Sequence, residues 1–64
     1  MKQVEIIKHL RKFGCVFIRE GGSHTVWLNP TTSRTSTIPR HNEINTHTGK
    51  KVCKDLGVPI IKIR

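Results

Sequence analysis

The chain has few of the residues on which several classes of protein depend. Its 64 residues include only two cysteines and three aromatic residues. Cys15 and Cys53 are too few for a disulfide framework and do not form a CxxC motif, so we interpret them as small buried residues in a reducing cytoplasm. No apolar run is long enough to cross a membrane, and charges interrupt residues 2–13, where a signal peptide would be apolar. We therefore expect a cytoplasmic protein without a membrane partner.

The small size limits the kind of site that the chain can build. A chain of 64 residues forms one domain, here residues 1–64, and buries only about 60% of the surface of its unfolded form. A deep pocket does not fit in such a domain. We expect no cofactor, and a ligand that lies across an open surface.

The sequence also lacks the spacing of a metal site. The histidines form no helical i, i+4 pair, and the few acidic residues are scattered. The histidines are His9, His24, His41 and His47, and the acidic residues are Glu5, Glu20, Glu43 and Asp55.

Positive charge is what the chain has in excess. Twelve Lys and Arg against four Asp and Glu give a net charge of +8, and the pI is about 10.4. Such a balance is typical of a protein that binds nucleic acid. An acidic protein partner, or a basic surface without a specific ligand, is also compatible with it.

Periodicity predicts two helices around three strands. The first helix spans residues 2–12 and ends at Gly14, and the second spans about residues 46–56, between a cap at Asn45 or Thr46 and the terminator Gly57. Short β-branched runs predict antiparallel strands at residues 15–19, 25–28 and 34–38. The fold class is therefore α+β, with the order α-β-β-β-α in two layers: a three-stranded antiparallel sheet packed by two helices.

The helices have predicted inward and outward sides. The inward side of the first helix consists of Val4, Ile6, Ile7, Leu10 and Phe13, with His9 on the solvated side. The inward side of the second consists of Gly49, Val52, Cys53 and Leu56. Residues 60–64 are read as a tail, as a fourth edge strand or as a segment that binds a partner or a second copy.

The turn between the first two strands carries the residue that most needs an explanation. Gly21-Gly22 supplies the positive φ angles of a tight hairpin, and His24 follows at the rim of the sheet, where a side chain can reach a ligand. An exposed surface histidine is the plain alternative. Trp27 is interpreted as a packing residue, because no second aromatic residue is paired with it.

The order of these elements resembles the HicA family of bacterial toxins. The motifs that carry the resemblance are Gly22-Ser23-His24 at the turn and Pro39-Arg40-His41 before the second helix, and the match covers residues 1–59. The resemblance implies a fold like the double-stranded-RNA-binding domain, cleavage of mRNA, and neutralisation by a HicB antitoxin, with oligomers in the toxin–antitoxin complex. It also implies that His24 is the catalytic histidine, with Gly22 and Ser23 shaping its turn.

The chemistry of RNA cleavage suits these residues. A histidine has an ordinary pKa near 6.5, so it can take or give a proton near neutral pH, and no metal is required. His41 is the candidate for a second acid or base. Arg40, Lys50 and Lys51 are the candidates for holding phosphates. The alternatives are a non-catalytic RNA-binding module and an interaction protein whose cationic face binds an acidic partner.

Overall fold

The computed structural model describes residues 1–61, and these form the predicted α+β architecture. The elements, in chain order, are α1 (Gln3–Lys12), β1 (Val16–Gly21), β2 (His24–Asn29), β3 (Arg34–Pro39) and α2 (Thr46–Leu56). The strands form one antiparallel sheet in the order β1-β2-β3. Within the described residues no helix is long and apolar enough to cross a membrane.

Both helices end where the sequence predicts. Gly14 follows the C-cap of α1 with a φ of +85°, and Gly57 caps α2 with a φ of +72°. At the start of α2 the side chain of Asn45 accepts a hydrogen bond of 2.8 Å from the backbone N–H of His47. These contacts satisfy backbone groups that a helix leaves unpaired at its ends.

The hairpin turn differs from the prediction in one respect. Gly21 belongs to β1 and pairs with His24, so the turn consists of Gly22 and Ser23. Of the two glycines only Gly22 has a positive φ, at +52°. The expectation that both glycines supply positive φ angles is therefore wrong, because a two-residue turn with glycine first needs only one such angle.

The register of the sheet decides which side chains face the helices. Residues directly opposite one another in a sheet share a face. Trp27 pairs with Ser36, and Thr25 with Ile38. These residues face the helices, where a single core lies between the layers; its buried members are Ile6, Leu10, Cys15, Trp27, Ile38, Ile44, Val52, Cys53, Leu56 and Val58.

The predicted inward side of α2 is confirmed, and that of α1 only in part. Gly49, Val52, Cys53 and Leu56 are all buried. In α1 only Ile6 and Leu10 are fully buried, and Val4 is 52% exposed. The prediction of a broad apolar side is wrong at Val4 and at Phe13, which is 37% exposed, because a three-stranded sheet is too narrow to cover more than one stripe of the helix.

Two local interpretations need correction. His9 is not a solvated surface residue: it is half-buried, its Nε2 lies 2.6 Å from the carbonyl oxygen of Pro59, and its ring contacts Phe13. Trp27 is a packing residue, as predicted, at 2% exposure. It does have an aromatic partner, since β1 places Phe17 opposite it, with ring centroids 5.8 Å apart.

The C-terminal segment forms no strand over residues 58–61. The remainder of the tail prediction, residues 62–64, lies outside the described residues.

Asn29 ties the β2–β3 turn to α2, because its buried side chain donates a hydrogen bond of 2.7 Å to the carbonyl of Leu56. The same side chain accepts a 3.1 Å bond from the N–H of Thr31.

Candidate functional site

A cleft runs between β3 and α2 and takes in the end of the hairpin. Its volume is about 210 Å³, below the range of pockets that enclose a small molecule, about 300–1,000 Å³. Ser36 and Thr37 point to opposite faces of the sheet, so the cleft follows the outer edge of β3. The residues that line it are His24, Ser36, Thr37, Pro39, Thr48, Lys51, Val52 and Asp55.

His24 is exposed, but its backbone is fixed on both sides. It is the first residue of the central strand, and its Cα partners are Gly21 on β1 and Pro39 on β3. A side chain on such a frame can meet a ligand while its own main chain stays in place. The structure thus agrees with the position at the rim of the sheet that the sequence predicts.

Arg40 holds the turn that precedes His24. Its backbone N–H donates a 3.0 Å hydrogen bond to the carbonyl of Ser23, and its guanidinium lies 3.3 Å from the carbonyl oxygen of Gly22. The same guanidinium forms a 3.0 Å ion pair with Glu20. Arg40 therefore fastens the turn to the end of β3 through two contacts, and its third contact ties the same point to β1.

The α2 side of the cleft contains an organised charged group that the sequence reasoning did not single out. Lys51 Nζ and Asp55 Oδ2 form a 3.2 Å ion pair, and Ser36 Oγ donates a 3.2 Å hydrogen bond to the same carboxylate oxygen. The signal for it was present in the helix periodicity. Thr48, Lys51, Val52 and Asp55 follow the i, i+3, i+4, i+7 spacing of one stripe, next to the buried stripe.

The structure brings together some of the predicted site residues and separates others. His24 and Lys51 line the same cleft. His41 is exposed and is not among the described residues that line it, and Lys50 lies farther round α2. The guanidinium of Arg40 contacts the turn and forms an ion pair with Glu20, so it is already engaged within the protein.

The remaining chemistry-bearing groups do not add to the cleft. Burial raises the pKa of the Cys15 and Cys53 thiols, which lie in the core. Thiols in that condition are poor nucleophiles. Within residues 1–61, no three His, Cys, Asp or Glu side chains are grouped so that they could hold a metal ion.

The chain matches the model of a known family. A family model described as the HicA toxin of bacterial toxin–antitoxin systems matches residues 4–58. No curated protein and no solved structure matches the chain. The matched range covers every helix and strand except the first residue of α1.

Proposed function

Because the chain belongs to the HicA family of toxins from bacterial toxin–antitoxin systems, we propose that it is an endoribonuclease that cleaves mRNA, with His24 as its catalytic acid or base. The observation that carries the proposal is the cleft itself. It combines an exposed histidine on a fixed strand with a lysine that is paired with a carboxylate, and that carboxylate accepts a hydrogen bond from a hydroxyl. The open shape of the cleft suits a strand that passes across it.

The reaction can be written with groups of these kinds and no metal. The 2′-OH of the RNA loses its proton and its oxygen attacks the adjacent phosphorus. The bond from phosphorus to the 5′ oxygen then breaks, and that oxygen takes up a proton. The products are a 2′,3′-cyclic phosphate and a 5′-hydroxyl. A histidine can perform either proton transfer near neutral pH.

Lys51 supplies the positive charge that the reaction needs. Negative charge increases on the phosphoryl oxygens in the transition state, and an ammonium group fixed beside them stabilises it. The ion pair with Asp55 restricts the freedom of the Lys51 side chain, and Ser36 holds the Asp55 carboxylate through a hydrogen bond. A group that is held in place in advance loses less entropy when the phosphate arrives.

The second proton-transfer group is assigned to His41 as a hypothesis. His41 follows Pro39, the cross-strand partner of His24, by two residues. The expected result for His41→Ala is a lower cleavage rate with nearly unchanged RNA affinity.

The basic surface is assigned to the RNA and to an antitoxin of the HicB type. Lys50 and Lys51 hold phosphates, and Arg40 contributes mainly through the turn that it fixes. A net charge of +8 steers the chain toward polyanions and toward a partner with an acidic surface. An antitoxin that covers His24 and Lys51 would block access to the cleft.

The test is cleavage of a labelled single-stranded RNA in EDTA by the natural chain and by His24→Ala. Cleavage by the natural chain, with cyclic-phosphate ends, and its loss in the variant are expected. His9→Gln is the matched control, because His9 lies on α1 and does not line the cleft, and thermal melting checks that this variant is folded. If both natural chain and variant bind RNA and neither cuts it, the chain is a non-catalytic RNA-binding module. If neither binds RNA, an acidic protein partner becomes the explanation of the charge.

A further inference from the structure

A second concavity lies on the exposed side of α2, next to the cleft. Its volume is about 350 Å³, and it is lined by His47, Lys50, Lys51, Lys54 and Ile60. The four α2 residues follow the i, i+3, i+4, i+7 spacing of one helix stripe, which is about 10 Å long. Lys51 belongs to this stripe and also to the stripe that lines the His24 cleft, so the two sites share one wall.

Two of the three lysines that line this concavity, Lys50 and Lys54, have no acidic partner among the described residues. No acidic side chain lines it. Within the described residues, ion pairs engage Glu20, Glu43 and Asp55, but none of them involves Lys50 or Lys54. Lys50 and Lys54 are four residues apart on one helix face, an arrangement of like charges that costs stability. A bound anion removes that repulsion.

Ile60 indicates what kind of anion fits. Its side chain is 45% exposed, although it lines the concavity. An inorganic anion gains nothing from an apolar surface, whereas a nucleotide places its sugar or base against it and its phosphate on the lysines. The combination of ammonium groups and an apolar wall therefore fits a nucleotide unit of a strand.

We propose that this concavity is a nucleotide subsite for the RNA strand whose scissile phosphate lies in the His24 cleft. Lys50 and Lys54 bind a backbone phosphate there, and Ile60 contacts the attached sugar or base. This assignment rests on the proposed function, because it takes the scissile phosphate of the same RNA strand to lie in the His24 cleft. The subsite itself can be tested without any cleavage.

The experiment measures binding of a fluorescent single-stranded RNA to the His24→Ala chain over a range of salt concentrations. The logarithm of affinity falls with the logarithm of salt by about 0.7 for each phosphate neutralised on a single strand. Adding Lys50→Gln and Lys54→Gln removes the contacts to one phosphate and is expected to reduce the slope by about 0.7. Ile60→Ser is expected to lower the affinity several-fold and to leave the slope unchanged.

The matched control is the pair Lys8→Gln and Lys12→Gln, which removes the same charge at the same spacing from α1. Glutamine retains the helix propensity of lysine, and thermal melting of each variant checks that it folds. A slope that is unchanged in the α2 pair, or reduced equally in the α1 pair, overturns the subsite. RNA cleavage by the natural chain together with an unchanged slope leaves the nuclease and removes only the subsite. A reduced slope without cleavage supports the subsite and removes the nuclease.

Discussion

Replacing Asp55 with asparagine should strengthen RNA binding and weaken the fold, two effects of opposite sign. Asp55 is the one acidic residue among those that line the His24 cleft. Its carboxylate lies 3.2 Å from Lys51 Nζ. Asparagine keeps an oxygen that can accept the hydrogen bond from Ser36, so the change removes the charge and leaves the shape of the cleft.

The distances set the size of the effect on binding. A phosphate oxygen that accepts a charge-assisted hydrogen bond from Lys51 lies about 2.8 Å from Nζ. The phosphate and the Asp55 carboxylate are then about 6 Å apart, and their repulsion in water is about 0.7 kcal/mol. Removing it strengthens binding about three-fold. The lost i, i+4 ion pair costs at most about 0.5 kcal/mol of folding stability, because Lys51 is mostly exposed and precedes its partner.

The assay is RNA binding by fluorescence anisotropy at low salt, in the His24→Ala chain so that the RNA stays intact. Glu5→Gln is the control, since it makes the same charge change on α1, outside the cleft. A three-fold gain for Asp55→Asn and a smaller one for Glu5→Gln are expected. If Asp55→Asn binds more weakly than its parent, the loss of the ion pair that holds Lys51 outweighs the removed repulsion, and the predicted gain in affinity is refuted.

Two further predictions concern the stability of the fold. Gly57→Ala should reduce the free energy of unfolding by about 1–2 kcal/mol, because residue 57 has a φ of +72° and a Cβ there would meet Thr32 Cγ2 at 3.0 Å. The control is Gly14→Ala, since Gly14 also has a positive φ but a Cβ there meets no other atom within 4 Å. In the same urea titration, Gly14→Ala should reduce the free energy of unfolding by less. The hydrogen bond and charge of the Met1 amino group lower the pKa of the Glu43 carboxyl. A lowered folded-state pKa stabilises the fold above the ordinary glutamate value and loses this effect as pH falls through the folded-state value. Glu43→Gln should therefore be less stable than its parent at neutral pH, and the difference should disappear as pH falls through the folded-state pKa of Glu43; a constant difference would contradict this assignment.

Most of the fold follows from local patterns in the sequence. The buried stripe of α2 can be read from its spacing, because four residues of one helix face must meet the sheet together. Its ends can be read from Asn45 and Gly57, which satisfy backbone groups within a few residues of themselves. The exposure of Val4 could not be read in this way, since it depends on how wide a sheet the helix covers.

The sequence predicts the central residue of the candidate site, His24, but it does not predict the contacts that support this residue. His24 stands out because a turn motif places it at the rim of a strand, and that is local information. Arg40 and Glu20 are twenty positions apart, and their ion pair exists only because the pairings of β1 with β2 and of β2 with β3 have particular registers. The same holds for Ser36 and Asp55, which come together across the edge strand and a helix. Side-chain contacts between distant elements depend on register and packing, which charge and spacing do not specify.

The position of Lys51 determines how binding and catalysis can be separated experimentally. Lys51 lines both the His24 cleft and the concavity on α2. A substitution at Lys51 removes a phosphate contact and, at the same time, the positive charge beside the proposed reaction. A loss of cleavage in Lys51→Ala therefore does not show whether RNA binding or catalysis is affected. Lys50 and His24 each line only one of the two sites. The loss of affinity in Lys50→Gln is therefore the reference for binding, and the loss of cleavage rate in His24→Ala is the reference for catalysis. In each of these two assays, Lys51→Ala should cause a loss at least as large as the reference variant does. An affinity loss confined to Lys50, with Lys51 affecting only the rate, would mean that the strand does not continue from one site into the other.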